Sequence, residues 1–244
     1  LLCIMYTMGI PSYFSHIIRN YSNIIRGLQY FHDNSILFHH LFMDCNSIVY
    51  DAVRMVDYNP DDNTYEDTII QNVITCIEKY IHYVKPTKTI YIAFDGVAPF
   101  AKMEQQRTRR HKTKFMSDMS FNGENETSSK WNTSAITPGT VFMTKLSNKI
   151  EYTFSHVAKK YNVQVVNVST SNEPGEGEHK LFEYLRMHNL SSDNIALYGL
   201  DSDLIMLSIF HIHQTSNIYI FREAPEFLKN SLPVEVGEDK DLPY

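Results

Sequence analysis

The chain has 244 residues, is 43% hydrophobic and 20% charged, and carries a net charge of −6. That balance is an ordinary globular one, long enough for one large domain or two small ones, and it argues against a protein that coats duplex nucleic acid through overall positive charge. Three cysteines, Cys3, Cys45 and Cys76, give neither a disulfide framework nor C-x-x-C spacing, and no apolar run approaches the ~20 residues of a membrane span.

The first Lys or Arg is Arg19, so Leu1 to Tyr6 lacks the charged start of a secretory leader. An intracellular, reducing compartment is therefore expected. The chain reads as a fragment of a longer protein: Met8-Gly9-Ile10-Pro11 looks more like a natural start than Leu1, and residues 238–244 carry no stop-like structural signal. Helical spacing of Phe14, Ile17, Ile18, Tyr21, Ile24, Ile25 and Leu28 predicts one helix over residues 12–30. Residues 36–43 read as a buried strand stopped by Asp44, and residues 46–55 begin the next helix. A turn cluster at 59–63 precedes a second periodic stretch, residues 65–84, punctuated by Pro86.

Residues 89–94 form an apolar strand ended by Asp95-Gly96, followed by a basic helix over 101–115. The polar stretch 117–136 reads as a mobile loop, and a helix is expected from Thr137 to about Tyr161. A strand at 163–168, a helix at 177–187, a strand at 195–198 ended by Gly199 to Asp203, and a strand at 217–221 complete the chain. Strands alternating with helices predict an α/β fold: a mostly parallel central sheet flanked by helices, with ligands at the carboxyl ends of the strands.

Six acids fall there. Asp44, Asp95, Asp201 and Asp203 end apolar segments, and Glu176 and Glu178 open a helix whose dipole favours their ionised forms. Any one alone is an ordinary turn or cap residue. Gathered together they repel, and hard divalent cations such as Mg²⁺ or Mn²⁺, which prefer oxygen ligands, would neutralise them. Two ions ~3.5–4 Å apart suit the in-line displacement of phosphodiester chemistry. Glycines at 96, 175, 177 and 199 let backbone approach such a site closely. Lys102, Gln106, Arg109 and Arg110 fall at i, i+4, i+7 and i+8, one helix face able to grip a terminal phosphate. A solvated charged face would explain Lys112 and Lys114, but less well six Lys/Arg between 102 and 114 with Glu104 as the only acid.

These segments resemble the N-terminal catalytic region of the Xrn-type 5′→3′ exoribonucleases. The resemblance rests on Met8-Gly9-Ile10-Pro11-Ser12-Tyr13-Phe14, Met43-Asp44-Cys45-Asn46-Ser47-Ile48, the block from Phe94 to Arg110, Ile136 to Met143, Pro174-Gly175-Glu176-Gly177-Glu178-His179-Lys180, Tyr198 to Leu207, and Phe221-Arg222-Glu223. It runs in order from Met8 to about Phe227. It implies a PIN-like, flap-nuclease-related fold and Mg²⁺-dependent, processive hydrolysis of single-stranded RNA bearing a 5′-monophosphate. By position, Asp44, Asp95, Glu176, Glu178, Asp201 and Asp203 would bind the ions, and Lys102, Gln106, Arg109 and Arg110 would form the 5′-phosphate pocket. Residues 8–227 would be the nuclease domain, 1–7 an extension without family counterpart, and 228–244 the start of a downstream region.

The chain departs from the family pattern in three ways. A base-stacking histidine is replaced by Tyr50, whose ring can still stack at ~1–3 kcal/mol per base. A further family Asp well after the D-x-D segment is not in the sequence. Residues 1–7 would lie near the site, where the family's amino terminus packs. Two other readings stay open: a 5′ nuclease acting on DNA flaps, and an RNA-end-binding module without turnover.

Overall fold

A computed structural model describes residues 13–59, 61–119, 131–215 and 217–223. Five strands form one sheet: β1 (His40–Asp44), β2 (Thr89–Ala93), β3 (Val165–Ser169), β4 (Ile195–Tyr198) and β5 (Ile218–Phe221). Their order is β3-β2-β1-β4-β5 and every pairing is parallel. Parallel neighbours need crossovers, and the helices that supply them cover both faces, which is why the inner strands β1, β2 and β4 read as largely apolar runs.

The pleat divides those runs. Leu41, Met43, Ile90, Ile92 and Tyr198 face a core built with α3 (Asn46–Arg54), α4 (Tyr65–Val84) and α6 (Val141–Phe154). Phe42, Ala93, Ile195 and Leu197 face the opposite layer, made by α7 (Gly177–Met187) and Leu204 of α8 (Asp203–Phe210). At the amino ends, Asp193 ties β1 to the start of β2. Its carboxylate meets His40 Nε2 at 2.9 Å and accepts from Lys88 Nζ at 2.7 Å. Among the described residues no helix is long and apolar enough to cross a membrane.

Several boundaries correct the sequence reading. Residues 13–30 are not one helix but α1 (Tyr13–Asn20), a 3₁₀ turn (Ser22–Ile24) and the start of α2 (Leu28–Asp33). Asn20 turns its amide back onto the His16 carbonyl at 2.8 Å, and Gly27 adopts an extended conformation, so the apolar spacing survives while the helix does not. β1 starts at His40 rather than at residue 36. Phe38 is apolar because it packs on Phe31 and Tyr219, not because it joins the sheet.

The helix expected from 137 to 161 is α6 alone. Thr140 caps its start by accepting from Met143 N, and His156 breaks the continuation with a φ of 60°. The stretch expected as a polar loop, 117–136, is structured where it is described. Helix α5 (Phe100–Met119) runs into it. Beyond it a 3₁₀ turn (Thr133–Ala135) lies between Trp131, packed on Phe142 and Tyr65, and buried Ile136. Helix α8 has no counterpart in the sequence reading, because Leu204-Ile205-Met206-Leu207 is continuously apolar and shows no helical period.

Candidate metal centre

In this strand order β2 lies on one side of β1 and β4 on the other, so the direction of winding reverses between β1 and β4. A crevice opens at the carboxyl ends of strands at such a point. Asp44 is the last residue of β1, Asp95 follows β2, Asp201 follows β4, and Asp203 opens α8. Glu176 occupies the N-cap position of α7 and Glu178 its first turn.

The six acids line two adjoining cavities of about 630 and 310 Å³ that share Lys102, Glu176 and Glu178. Asp44, Asp95 and Asp201 line the larger one and Asp203 the smaller. Tyr50, 42% exposed, lines the larger cavity too. Lys102, in the first turn of α5, donates to Glu176 Oε2 at 2.8 Å. Gln106, Arg109 and Arg110 lie on the same helix, but their side chains are outside the described residues, as are residues 1–7 and 228–244.

Backbone contacts hold the carboxylates in place. Gly177 N donates to Asp95 Oδ1 at 2.7 Å, Asp95 N donates to Asn46 Oδ1 at 3.2 Å, and Asn46 N reaches Asp44 Oδ1 at 3.5 Å. A Cβ at residue 177 would stand 2.7 Å from Asp44 Oδ1, so glycine there lets α7 come close to β1. Asp203 N donates to Asp201 Oδ1 at 3.2 Å and turns the chain into α8.

Burial, and then the neighbouring carboxylates of Asp95, Asp201 and Glu176, push Asp44 up to about 7. Burial together with Asp44, Glu176 and Asp201 pushes Glu178 up to about 8. Asp95 is raised by burial against the opposing Gly177 N–H, and Asp203 by burial and Asp201.

An all-carboxylate set is the donor chemistry of a hard divalent cation. Two of these acids, Glu176 and Glu178, also have ligand atoms within 4.8 Å of one another and of the exposed His179 imidazole, which the sequence reading did not single out, and these three are close enough to share an ion. The residues fit such a group.

A stability effect follows from these raised values. The native acids keep protons that the unfolded chain, with carboxylates near 3.8 and 4.5, has already lost. The native state therefore binds more protons than the unfolded one across this interval, and stability falls as pH rises through it. In the presence of a chelator, the melting temperature should drop between about pH 4.5 and 8 and level off above that, at about 2–4 °C per kcal/mol. Added Mg²⁺ should restore it, and Asp44→Asn should flatten the dependence. A chelated wild-type melt that is level over that range would contradict the crowding of charge.

Two residues that hold the centre together escaped the sequence reading. Asn46 and Lys180 were visible only as members of longer blocks. Lys180 is one of the buried residues of α7, with Leu181, Phe182 and Leu185, and a lysine in the inward register of an amphipathic helix was the available signal.

The family described as XRN 5′-3′ exonuclease N-terminus matches residues 8–224. The chain belongs to that family. It is 32% identical to a 5′-3′ exoribonuclease 2 homolog of Drosophila melanogaster over 91% of this chain and 29% of that protein. It is 34% identical to 5′-3′ exoribonuclease 1 of Saccharomyces cerevisiae over 83% of the chain and 14% of the relative. The human 5′-3′ exoribonuclease 1 is 30% identical over 83% of the chain and 12% of its own length. The Xrn-type chain thus spans less than a third of each of these relatives.

Proposed function

We propose that this chain is the amino-terminal nuclease region, residues 8–227, of a divalent-metal-dependent 5′→3′ exoribonuclease that shortens single-stranded RNA from a 5′-monophosphate end. The observation that carries the reading is the placing of six carboxylates, from three strand ends and the start of α7, around two adjoining cavities, with the Lys102 ammonium 2.8 Å from one of them. Asp44, Asp95, Glu176, Glu178, Asp201 and Asp203 hold the cations, Mg²⁺ or Mn²⁺, as a pair. Such ions would supply Lewis acidity there, favouring ionisation of a bound water and offsetting negative charge on the phosphate.

The protein's own groups do the rest. Lys102, with Gln106, Arg109 and Arg110 farther along α5, receives the terminal phosphate. A 5′-hydroxyl leaves these groups unpaired, and a triphosphate or cap overfills the space. Tyr50 stacks on a base at the mouth of the larger cavity. Free Cys45 and Cys76 fit a reducing, intracellular setting.

The deciding experiment uses the full-length protein on matched 5′-monophosphate RNA, 5′-triphosphate RNA and 5′-flap DNA, with and without Mg²⁺. Mg²⁺-dependent loss of the monophosphate RNA alone supports the reading. Cutting of the flap DNA instead makes the enzyme a DNA nuclease, and tight 5′-end binding without turnover makes it a binding module. Arg109→Ala should lower the preference for 5′-phosphate over 5′-hydroxyl RNA by about 10–100-fold while changing metal affinity less. An unaltered end preference would take Arg109 out of the pocket.

A further inference from the structure

We infer that Lys180 is a positioning residue that sets which divalent ion the acidic centre accepts, an inference that rests on the metal-dependent reading above. Lys180 is only 7% exposed. Its ammonium donates to two backbone carbonyls, Phe94 O at 2.8 Å and Thr170 O at 3.0 Å. Phe94 directly precedes Asp95, and Thr170 directly follows β3. A buried ammonium is normally matched to a carboxylate. Here Glu173 and Asp95 act on it only through their charge, while both hydrogen-bond acceptors are neutral and belong to the main chain, so the hydrogen bonds fix geometry.

The peptide joining Phe94 to Asp95 is consequently held at both ends. Lys180 takes its carbonyl, and Asn46 Oδ1 takes its N–H at 3.2 Å. The Asp95 carboxylate then accepts from Gly177 N at 2.7 Å, in the same helix that carries Glu176, Glu178 and Lys180. A closed ring of contacts links the ends of β1 and β2 to the first turn of α7. It leaves the spacing between Asp95 and the two glutamates little freedom.

Rigidity of this kind separates ions by size. Mg²⁺ demands near-ideal octahedral geometry, whereas Ca²⁺ accepts more ligands at longer and more variable distances. Loosening the ring should penalise Mg²⁺ far more than Ca²⁺. Removing the Lys180 charge also changes the field at the centre. That change acts on both divalent ions alike and cancels in their ratio.

The test is Mn²⁺ titration followed by electron paramagnetic resonance, with Mg²⁺ and Ca²⁺ as competitors, on the full-length protein and its Lys180→Met and Asn46→Ala variants. The affinity ratio of Mg²⁺ over Ca²⁺ should fall about tenfold or more in both variants, the size usual when groups that orient metal ligands are lost. A merely structural role would lower the melting temperature and leave the ratio alone. A folded Lys180→Met protein with the wild-type ratio overturns the assignment. If Lys180→Met does not fold, a wild-type ratio in Asn46→Ala overturns it equally, because that variant frees the other end of the same peptide. Wild-type protein that takes up no divalent ion overturns the metal-dependent reading itself, a distinct result.

Discussion

Asp201→Asn should leave the fold intact and abolish cleavage. Asp201 Oδ1 accepts from Asp203 N at 3.2 Å, and the amide oxygen of asparagine preserves that acceptor, so the turn from β4 into α8 stays. Only the negative charge is lost, at a position that lines the larger cavity together with Glu176 and Glu178. Metal-assisted stabilisation of a phosphoryl transition state amounts to several kcal/mol, and each 1.36 kcal/mol is tenfold in rate. A loss of at least about 10³-fold is expected. Single-turnover cleavage of 5′-phosphorylated RNA in Mg²⁺, set beside a thermal melt, measures both halves of the expectation. Turnover close to the wild-type rate would remove Asp201 from the metal centre.

Gly96→Ala should be strongly disruptive, more so than alanine at Gly139, Gly175, Gly177 or Gly199. A Cβ there would lie 1.7 Å from the carbonyl oxygen of Glu173 and 2.8 Å from its carbon, both backbone atoms that cannot swing aside. The loops after β2 and β3 are also stitched by Gly96 N to Gly175 O at 2.8 Å and Gly175 N to Val97 O at 3.0 Å. Making room for the methyl group means parting these loops, which carry Asp95 on one side and lead to Glu176 on the other. Overpacking typically costs about 1–3 kcal/mol and occasionally more, or about 2–4 °C of melting temperature per kcal/mol. Activity should fall further than stability, because the acids separate. Calorimetry and a cleavage assay would show it, and a variant melting with the wild type would mean that the two loops are not locked.

Much of this architecture could be read from residue order. The 3.6-residue rhythm of Ile69, Val73, Ile77 and Tyr80 matches α4 from end to end, and apolar runs halted by Asp44 and Asp95 mark the carboxyl ends of β1 and β2. What stayed hidden has physical causes. The turn-forming Asn20, Ser22 and Asn23 share a segment with a regular apolar period, and periodicity cannot say which will prevail. Helix α8 is apolar over successive positions and so lacks a stripe to detect. The meeting of Asp44 with Asp201 depends on β4 inserting beside β1, a pairing of residues far apart that no local pattern encodes. Lys180 and Asn46 act through main-chain carbonyl and amide groups, which every residue carries, so their partners leave no trace in the letters of the chain.

The reversal of winding between β1 and β4 also has a bearing on synthesis. A nascent chain can lay down β1, β2 and β3 with Asp44 and Asp95 well before β4 and the D-x-D segment leave the ribosome. Long-range parallel pairing is slow to form. The acidic centre should therefore be assembled late, when β4 docks on β1 and brings Asp201 and Asp203 to Asp44.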